Sequence, residues 1–355
     1  MSDDQVRIGL IGAGFMGRRH ADLIVAHPDT RLVGVADPVN ATVAAAHGVP
    51  AYASQTELLQ AGGVDAVVIA NPNALHVDTA IEALTAGVAV LLEKPAAVDY
   101  RDALRLVAAV DDLDGRLLVG HHRRHHPSIA AARDVLGAGS LGTLVAVSGM
   151  WAARKHDAYF DEPWHRSKGA GVMLINLVHD LDLLRYLCGE VRSIQAIVSS
   201  RTRGLDVEDT VAVNLEFESG ALGSFLATDA AASPWGWDQA TTDSDDFPYI
   251  PESPAYFFAG TAGALSVPDL GRFAYEGDGE GEWRHPLSRT FVARATGDSY
   301  TRQLQHFVDV VGGAEPIVSA ADAARTLALI EAAQFAAESQ HTIELKEFQA
   351  AAARA

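Results

Sequence analysis

Hydrophobic patterning divides the chain into two parts. Up to about Gly120, short and nearly unbroken apolar runs (Val6–Ile11, 32–36, 64–70, 88–92 and 117–119) alternate with stretches of helical period. Runs apolar on both faces fit parallel strands covered on both sides. Between them the pattern predicts helices over 15–27, 41–46, 76–86 and 99–113, and a half-turn over 56–61. Gly48 and Gly87 stand where two of these should stop, and Asp99 where the last should be capped. Such alternation implies an α/β domain: a doubly wound parallel sheet with helices on both faces.

Beyond Gly120 the pattern changes. A helix is expected over 128–136, a turn over 137–142 and a long alternating strand over 144–151. Residues 154–171 have no period and read as a loop, whereas 172–187 read as one strong helix stopped by Gly189. Strands follow over 194–200, 210–216, 221–228, 256–259, 264–267 and 272–276, with hairpin signals at Glu218-Ser219-Gly220 and Gly277-Asp278-Gly279. Many strands with few helices between them imply an α+β domain built on a large, mainly antiparallel open sheet with a helix on one face. Helices over 300–311 and 319–338, the latter capped by Ser319, an extended segment over 343–345 and a loose tail over 350–355 complete the reading. The expected organisation is a dinucleotide-binding domain over 1–120, a domain for substrate binding and oligomerisation over 121–345, and a tail over 346–355. A sheet with one helical face leaves the other to be covered, and the same face of a second subunit would cover it.

Length and composition narrow the function. The 355 residues exceed a usual single domain, and 48% hydrophobic with 21% charged residues is a globular composition. A net charge of −19 argues against nucleic acid as a partner. No apolar stretch is long enough to span a membrane, and the start of the chain is too polar for a signal peptide. The single cysteine, Cys188, excludes an internal disulfide and fits a reducing compartment, so the expected location is cytoplasmic. The one basic cluster, His121-His122-Arg123-Arg124-His125-His126, sits at the domain junction, and no Cys or carboxylate spacing makes it a metal site.

Three stretches carry candidate chemistry. The first is Gly12-Ala13-Gly14-Phe15-Met16-Gly17, directly after the first apolar run. Gly12 suits the tight turn, Gly14 the approach of a pyrophosphate, and Gly17 the packing of helix on strand, with phosphate over the helix start at Phe15 and Met16. Asp37 ends the next run, twenty residues on, where a carboxylate accepts hydrogen bonds from ribose hydroxyls and repels a 2′-phosphate; the cofactor expected is NAD. The second comprises two polar clusters at the ends of neighbouring strands: Asn71-Pro72-Asn73 with His76, and Glu93-Lys94-Pro95. Ligands of doubly wound sheets sit beyond these carboxyl ends. The Asn71–Pro72 and Lys94–Pro95 bonds are the candidates there for a cis peptide. The third is the helix over 172–187, where Asn176 and His179 are three apart on one face and Asp182 continues it.

These landmarks, with His179-x-x-Asp182-Leu183-Leu184-Arg185-Tyr186-Leu187, resemble the glucose–fructose oxidoreductase / inositol dehydrogenase family over almost the whole chain. The resemblance implies an N-terminal Rossmann domain, a C-terminal domain whose open sheet mediates dimers or tetramers, and nicotinamide near Glu93-Lys94-Pro95. One departure matters: family members often carry an aspartate four residues before the helix histidine, and Ile175 stands there. Asn176 orients a hydroxyl but is no base near neutrality. Proton handling is thus expected of His179 and Lys94, with Asn176 holding substrate. Tyr159, Trp164, Arg166, Lys155 and Trp235 are further substrate-binding candidates, with Arg154, His156, His165, Lys168, Trp237 and Tyr249 in the same irregular stretches. Aromatic faces suit the C–H faces of a ring, and polar groups its hydroxyls. The expected activity is hydride transfer between NAD and a secondary alcohol of a cyclitol, sugar or sugar derivative. Other readings are a dehydrogenase of a carboxylated cyclic dihydrodiol, served by the basic side chains, an NAD-retaining glycosidase or epimerase, and a dinucleotide-sensing regulator.

Overall fold

A computed structural model describes residues 5–167, 169–276 and 281–354. The first apolar runs form β1 (Val6–Ile11), β2 (Thr30–Ala36), β3 (Ala51–Tyr52), β4 (Ala66–Ile69), β5 (Ala89–Leu92) and β6 (Leu117–Val119). Between them lie α1 (Phe15–Ala26), α2 (Thr42–His47), α3 (Gln55–Ala61), α4 (His76–Thr85) and α5 (Tyr100–Asp112). All six strands are parallel, in the order β3-β2-β1-β4-β5-β6. The order reverses between β1 and β4, which places the binding crevice of such a sheet beyond their carboxyl ends. Strands β4 and β5 are buried along their whole length, as two-sided cover requires. The Asp99 carboxylate accepts from the Asp102 amide at 2.7 Å and caps α5, and Ser54 caps α3 in the same way.

Next come α6 (Pro127–Gly137), β7 (Leu144–Ala152), α7 (Val178–Cys188), β8 (Val191–Ser199), β9 (Thr210–Phe217), β10 (Leu222–Thr228) and α8 (Trp237–Ala240). They are followed by β11 (Tyr256–Gly260), β12 (Gly263–Val267), β13 (Gly271–Tyr275) and β14 (Leu287–Phe291). The chain finishes with α9 (Ser299–Val311), α10 (Ala320–Ser339), β15 (Ile343–Glu344) and α11 (Leu345–Ala352). Nine strands form one sheet, β14-β13-β12-β11-β7-β10-β9-β8-β15, antiparallel throughout except for β7 with β10. One face packs Val147, Val213, Phe225 and Phe258 against Leu177, Leu181 and Leu184 of the α7 region and Leu329 and Ile330 of α10. Among the described residues no helix is long and apolar enough to cross a membrane.

The chain separates into two compact units, and the division differs from the sequence reading. The first comprises the residues up to His122, with Tyr300–Leu327 and the chain from Ala352; the second is Arg123–Ser299 with Ala328–Ala351. The reading 121–345 assigned 300–327 to the second domain. Instead Leu304, Phe307, Val318, Ala324 and Leu327 enter the first core, and the Val119 amide donates to the Val318 carbonyl at 3.0 Å, covering the open edge of β6. A local pattern carries no record of such a return across the chain.

Two further expectations change. The strong helix over 172–187 opens with a π-helical turn, Met173–Leu177, where the Glu208 carboxylate accepts from the Met173 amide at 3.0 Å. The loose tail over 350–355 is helical as far as Ala352, because Leu345 is buried and Phe348 meets Phe335, ring centroids 6.2 Å apart. β14, β3 and α8 are additional elements, and the hairpin signal at 277–279 lies outside the described residues.

Candidate active site

In the first unit the ends of four strands build one edge. Gly12 turns the chain out of β1 at φ +94°, and a Cβ there would lie 2.5 Å from the Ala70 carbonyl oxygen. A Cβ on Gly17 would lie 2.0 Å from the Gly12 oxygen, so α1 packs on the turn only with glycine at that position. At Gly14 an added Cβ would meet nothing within 4 Å: the space above it is open. Gly14 is also the N-cap of α1, with no side-chain cap and no acidic residue in the first turn. The amides of Phe15 and Met16 therefore begin a helix whose positive end is left for an anion.

Asp37 holds this turn in place. Its Oδ2 accepts from the Ala13 amide at 2.7 Å and its Oδ1 from the amides of Val39 and Asn40, both at 2.9 Å. Asn40 returns a bond from Nδ2 to the Ala13 carbonyl at 2.8 Å. Three of about four acceptor positions on the carboxylate are thus used, which orients it and leaves one for a ribose hydroxyl. Asn40 was missed in the sequence, although Asp-Pro-x-Asn is a turn signal.

At the ends of β4 and β5 the loops are tied together. Asn71 donates from Nδ2 to Thr79 Oγ1 at 3.0 Å, and its Oδ1 is buried without a partner among the described residues. Pro72 and Asn73 are exposed. Glu93 is buried with Oε1 2.7 Å from His20 Nε2, and Lys94, half-buried, is joined to Pro95 by a cis bond; Asn71–Pro72 is not cis. Burial pushes the Glu93 carboxyl up, but the hydrogen bond and charge of His20 and the charge of Lys94 leave it below its ordinary value. His76 is placed differently from the sequence reading, which had it lining the cofactor. It is 1% exposed, with Nδ1 2.8 Å from the Pro95 carbonyl and Nε2 3.0 Å from the Asn71 carbonyl. Burial drives its pKa down against those carbonyls. With a backbone carbonyl beside each ring nitrogen, His76 lies between the two loops and braces them.

A nucleotide group fits this edge: open space over Gly14, an uncapped helix start, an oriented carboxylate at Asp37 and an orphaned acceptor at Asn71 are the parts it needs.

In the second unit the π-helical turn and α7 carry Asn176 and His179, the latter buried. Lys155, on the loop after β7, brings Nζ 3.1 Å from Asn176 Oδ1 and 3.4 Å from Asp229 Oδ2, above the Tyr159 ring at 4.7 Å. Burial pushes the Lys155 amine down against the pull of Asp229, and burial and Asp229 push the Tyr159 phenol up. Arg203 fixes the same loop, with Nε 3.1 Å from Asp229 Oδ1 and Nη2 2.9 Å from the Lys155 carbonyl. Tyr159 stacks on His165 at 3.7 Å. Trp164, Arg166, Trp235 and Tyr249 are exposed, whereas Lys168 lies outside the described residues. Asp229, Arg203 and Glu208 were missed: no motif marks them, and only the folded loop brings them to Lys155.

Two sequence candidates turn out to be core. Trp237 is fully buried and donates to Asp243 Oδ2 at 3.1 Å. The histidine–arginine cluster is buried as well, not a basic surface for a substrate carboxylate. Arg123 pairs with Asp180 at 2.9 Å, and Arg124 forms a bidentate pair with Asp182 at 2.7 and 2.6 Å. Burial lifts the Asp180 carboxyl to about 6 despite Arg123.

The chain is similar to known proteins along most of its length. Residues 6–121 match the model of an oxidoreductase family with an NAD-binding Rossmann fold, and residues 129–266 match the GFO/IDH/MocA C-terminal domain. The chain is 28% identical over 338 residues to an inositol 2-dehydrogenase of Rhizobium meliloti (strain 1021), covering 92% of this chain and 96% of that one. It is 29% identical over 350 residues to a scyllo-inositol 2-dehydrogenase (NAD(+)) of Bacillus subtilis (strain 168), covering 90% and 91%. Among solved structures it is similar to the WlbA dehydrogenase of Bordetella pertussis in complex with NADH and UDP-GlcNAcA, with TM-score 0.75, 25% identity and coverage of 96% and 98%. The glycine turn with its Asp37 clamp and these matches together establish that the chain belongs to the Gfo/Idh/MocA family and is an NAD-dependent dehydrogenase.

Proposed function

We propose that this dehydrogenase oxidises, or in reverse forms, a secondary alcohol of a polyhydroxylated ring, the class of a cyclitol, a sugar or a sugar derivative. The observation that carries the reading is the polar group of the second unit. There Lys155, Asn176 and His179 are held on or beside one helical start, with the exposed aromatics Trp164 and Trp235 in nearby chain segments. Inositol dehydrogenases among the relatives support the same class.

The cofactor supplies a nicotinamide carbon that exchanges hydride with the carbinol carbon. Gly12, Gly14, Gly17 and Asp37, with Phe15 and Met16 at the helix start, would hold it, and Asn71, Pro72, Asn73 and Glu93 would line its nicotinamide end. His179 takes the hydroxyl proton, the role for which an imidazole is the commonest side chain. Lys94 stabilises the developing alkoxide. Asn176 holds an adjacent ring oxygen, and Tyr159 and Arg166 offer further contacts. A parallel screen of cyclitols, aldoses, sugar acids and cyclic dihydrodiols with NAD and NADP, read at the reduced-nicotinamide absorbance, tests the assignment. With the best ring, Lys94→Ala and His179→Ala should each lower kcat by about 10²–10⁴; wild-type turnover in both would end this reading.

The open face of the nine-stranded sheet supports self-association. Leu222 and Phe257 are 61% and 48% exposed there, among the small side chains Ala146, Ser148, Ser224 and Ala259. A monomer in sedimentation at micromolar concentration would contradict it.

A further inference from the structure

We infer that Lys155 is a specificity-determining residue: by fixing the amide of Asn176 it turns this part of the second unit into a set of hydrogen-bond donors. That set fits a ring bearing a carboxylate or an oxo group better than a ring bearing hydroxyls alone. The inference rests on the function proposed above and narrows its substrate class.

The argument begins with the amine. An ammonium has three donors and no acceptor, so the atom of Asn176 facing Lys155 Nζ at 3.1 Å is the carbonyl Oδ1. The Nδ2 group then points to the other side, where it has no partner among the described residues. One Lys155 N–H goes to Asn176 and one to Asp229, which leaves a third on a side chain still 15% exposed.

The nearby carboxylates are already engaged with donors of the chain. Asp229 Oδ1 receives Arg203, and Asp229 Oδ2 receives Lys155. Asp209 Oδ2 takes the amides of Thr202 and Arg203, and its Oδ1 takes the Thr210 hydroxyl. Glu208 is bound to the start of the π-helical turn, and the side chain of Ile175 has no polar atom. A hydroxyl brought here meets those two donors only as a neutral oxygen. A carboxylate or carbonyl oxygen brings no proton, and a bond from an ammonium to a carboxylate is charge-assisted.

The test is binding to the NAD-loaded full chain, by calorimetry, of matched rings: D-glucuronate against D-glucose, and quinate against myo-inositol. The acid should bind at least about tenfold more tightly than its neutral counterpart in at least one pair, the difference between a charged and a neutral hydrogen bond. Lys155→Met should bring that ratio close to one while NAD affinity holds, because the cofactor edge lies in the first unit and Arg203 still pairs with Asp229. Asn176→Asp, which puts a carboxylate oxygen where the amide donor stood, should reverse the preference. Equal or better binding of the neutral ring in both pairs would overturn the inference, as would an acid preference that survives Lys155→Met. Failure of the underlying function shows separately, as a ring that binds but never reduces NAD.

Discussion

The two units organise polar groups in opposite ways. In the first, the nucleotide edge is mostly backbone: a glycine turn, an uncapped helix start, and carbonyls braced by His76, with Asp37 spanning 24 residues to reach Ala13. In the second, charged and polar side chains meet each other inside the protein, Arg124 with Asp182 across 58 residues and Lys155 with Asn176 across 21. A site made of backbone needs small residues at fixed spacing and so leaves a motif. A site made of side-chain pairs needs only that complementary groups meet after folding, and its parts look like ordinary charges until then.

If that contrast is right, the largest loss of stability should come from the second unit's buried pairs. Arg124→Ala strips the Asp182 carboxylate of a bidentate partner in a fully buried setting and should cost about 3–5 kcal/mol. A urea midpoint within error of wild type would show that these pairs are not structural. Asp37→Ala is the matching cut at the first unit's edge. It removes three amide contacts and should weaken NAD binding about 10–100-fold, with the discrimination against NADP relaxed, as titration of cofactor fluorescence would read.

The smallest effect belongs to an ion pair at the surface. Arg7 meets Asp65 bidentately at 2.9 and 2.6 Å, with both side chains more than a third exposed. Asp65→Asn should cost roughly a fifth or less of the Arg124 effect. The hydrogen bond from Arg7 holds the Asp65 carboxyl below its ordinary value. Its contribution is therefore present above the unfolded-state pKa and disappears as pH falls through the folded one. The urea-midpoint difference between wild type and Asp65→Asn should shrink from about pH 7 to about pH 3; a difference that grows on acidification would reverse the sign.

Legibility followed the same division. The parallel strands, the glycine turn and Asp37 could be read because their constraints are local and repeat with the strand–helix alternation. His76 was placed near the right loops but given the wrong neighbour, since nothing in Asn-Pro-x-x-x-His says that both ring nitrogens will find carbonyls. Arg123 and Arg124 read as a basic surface because their partners, Asp180 and Asp182, lie far along the chain. Trp237 read as a ring-binding aromatic for a related reason: burial of a loop residue is decided by what folds over it. The π-helical turn was invisible, because the interaction at its start comes from Glu208, more than thirty residues away.

The cover over the β6 edge has a consequence for synthesis. Val318 and the apolar side of α9 leave the ribosome long after β6, with the strands β7 to β14 made in between. Until then the nascent nucleotide-binding unit carries an unsatisfied strand edge and a partly bare core, while the nine-stranded sheet has nearly all its strands. The unit translated ahead of that sheet is thus completed after it, and that interval is when a holding chaperone would matter most to this chain.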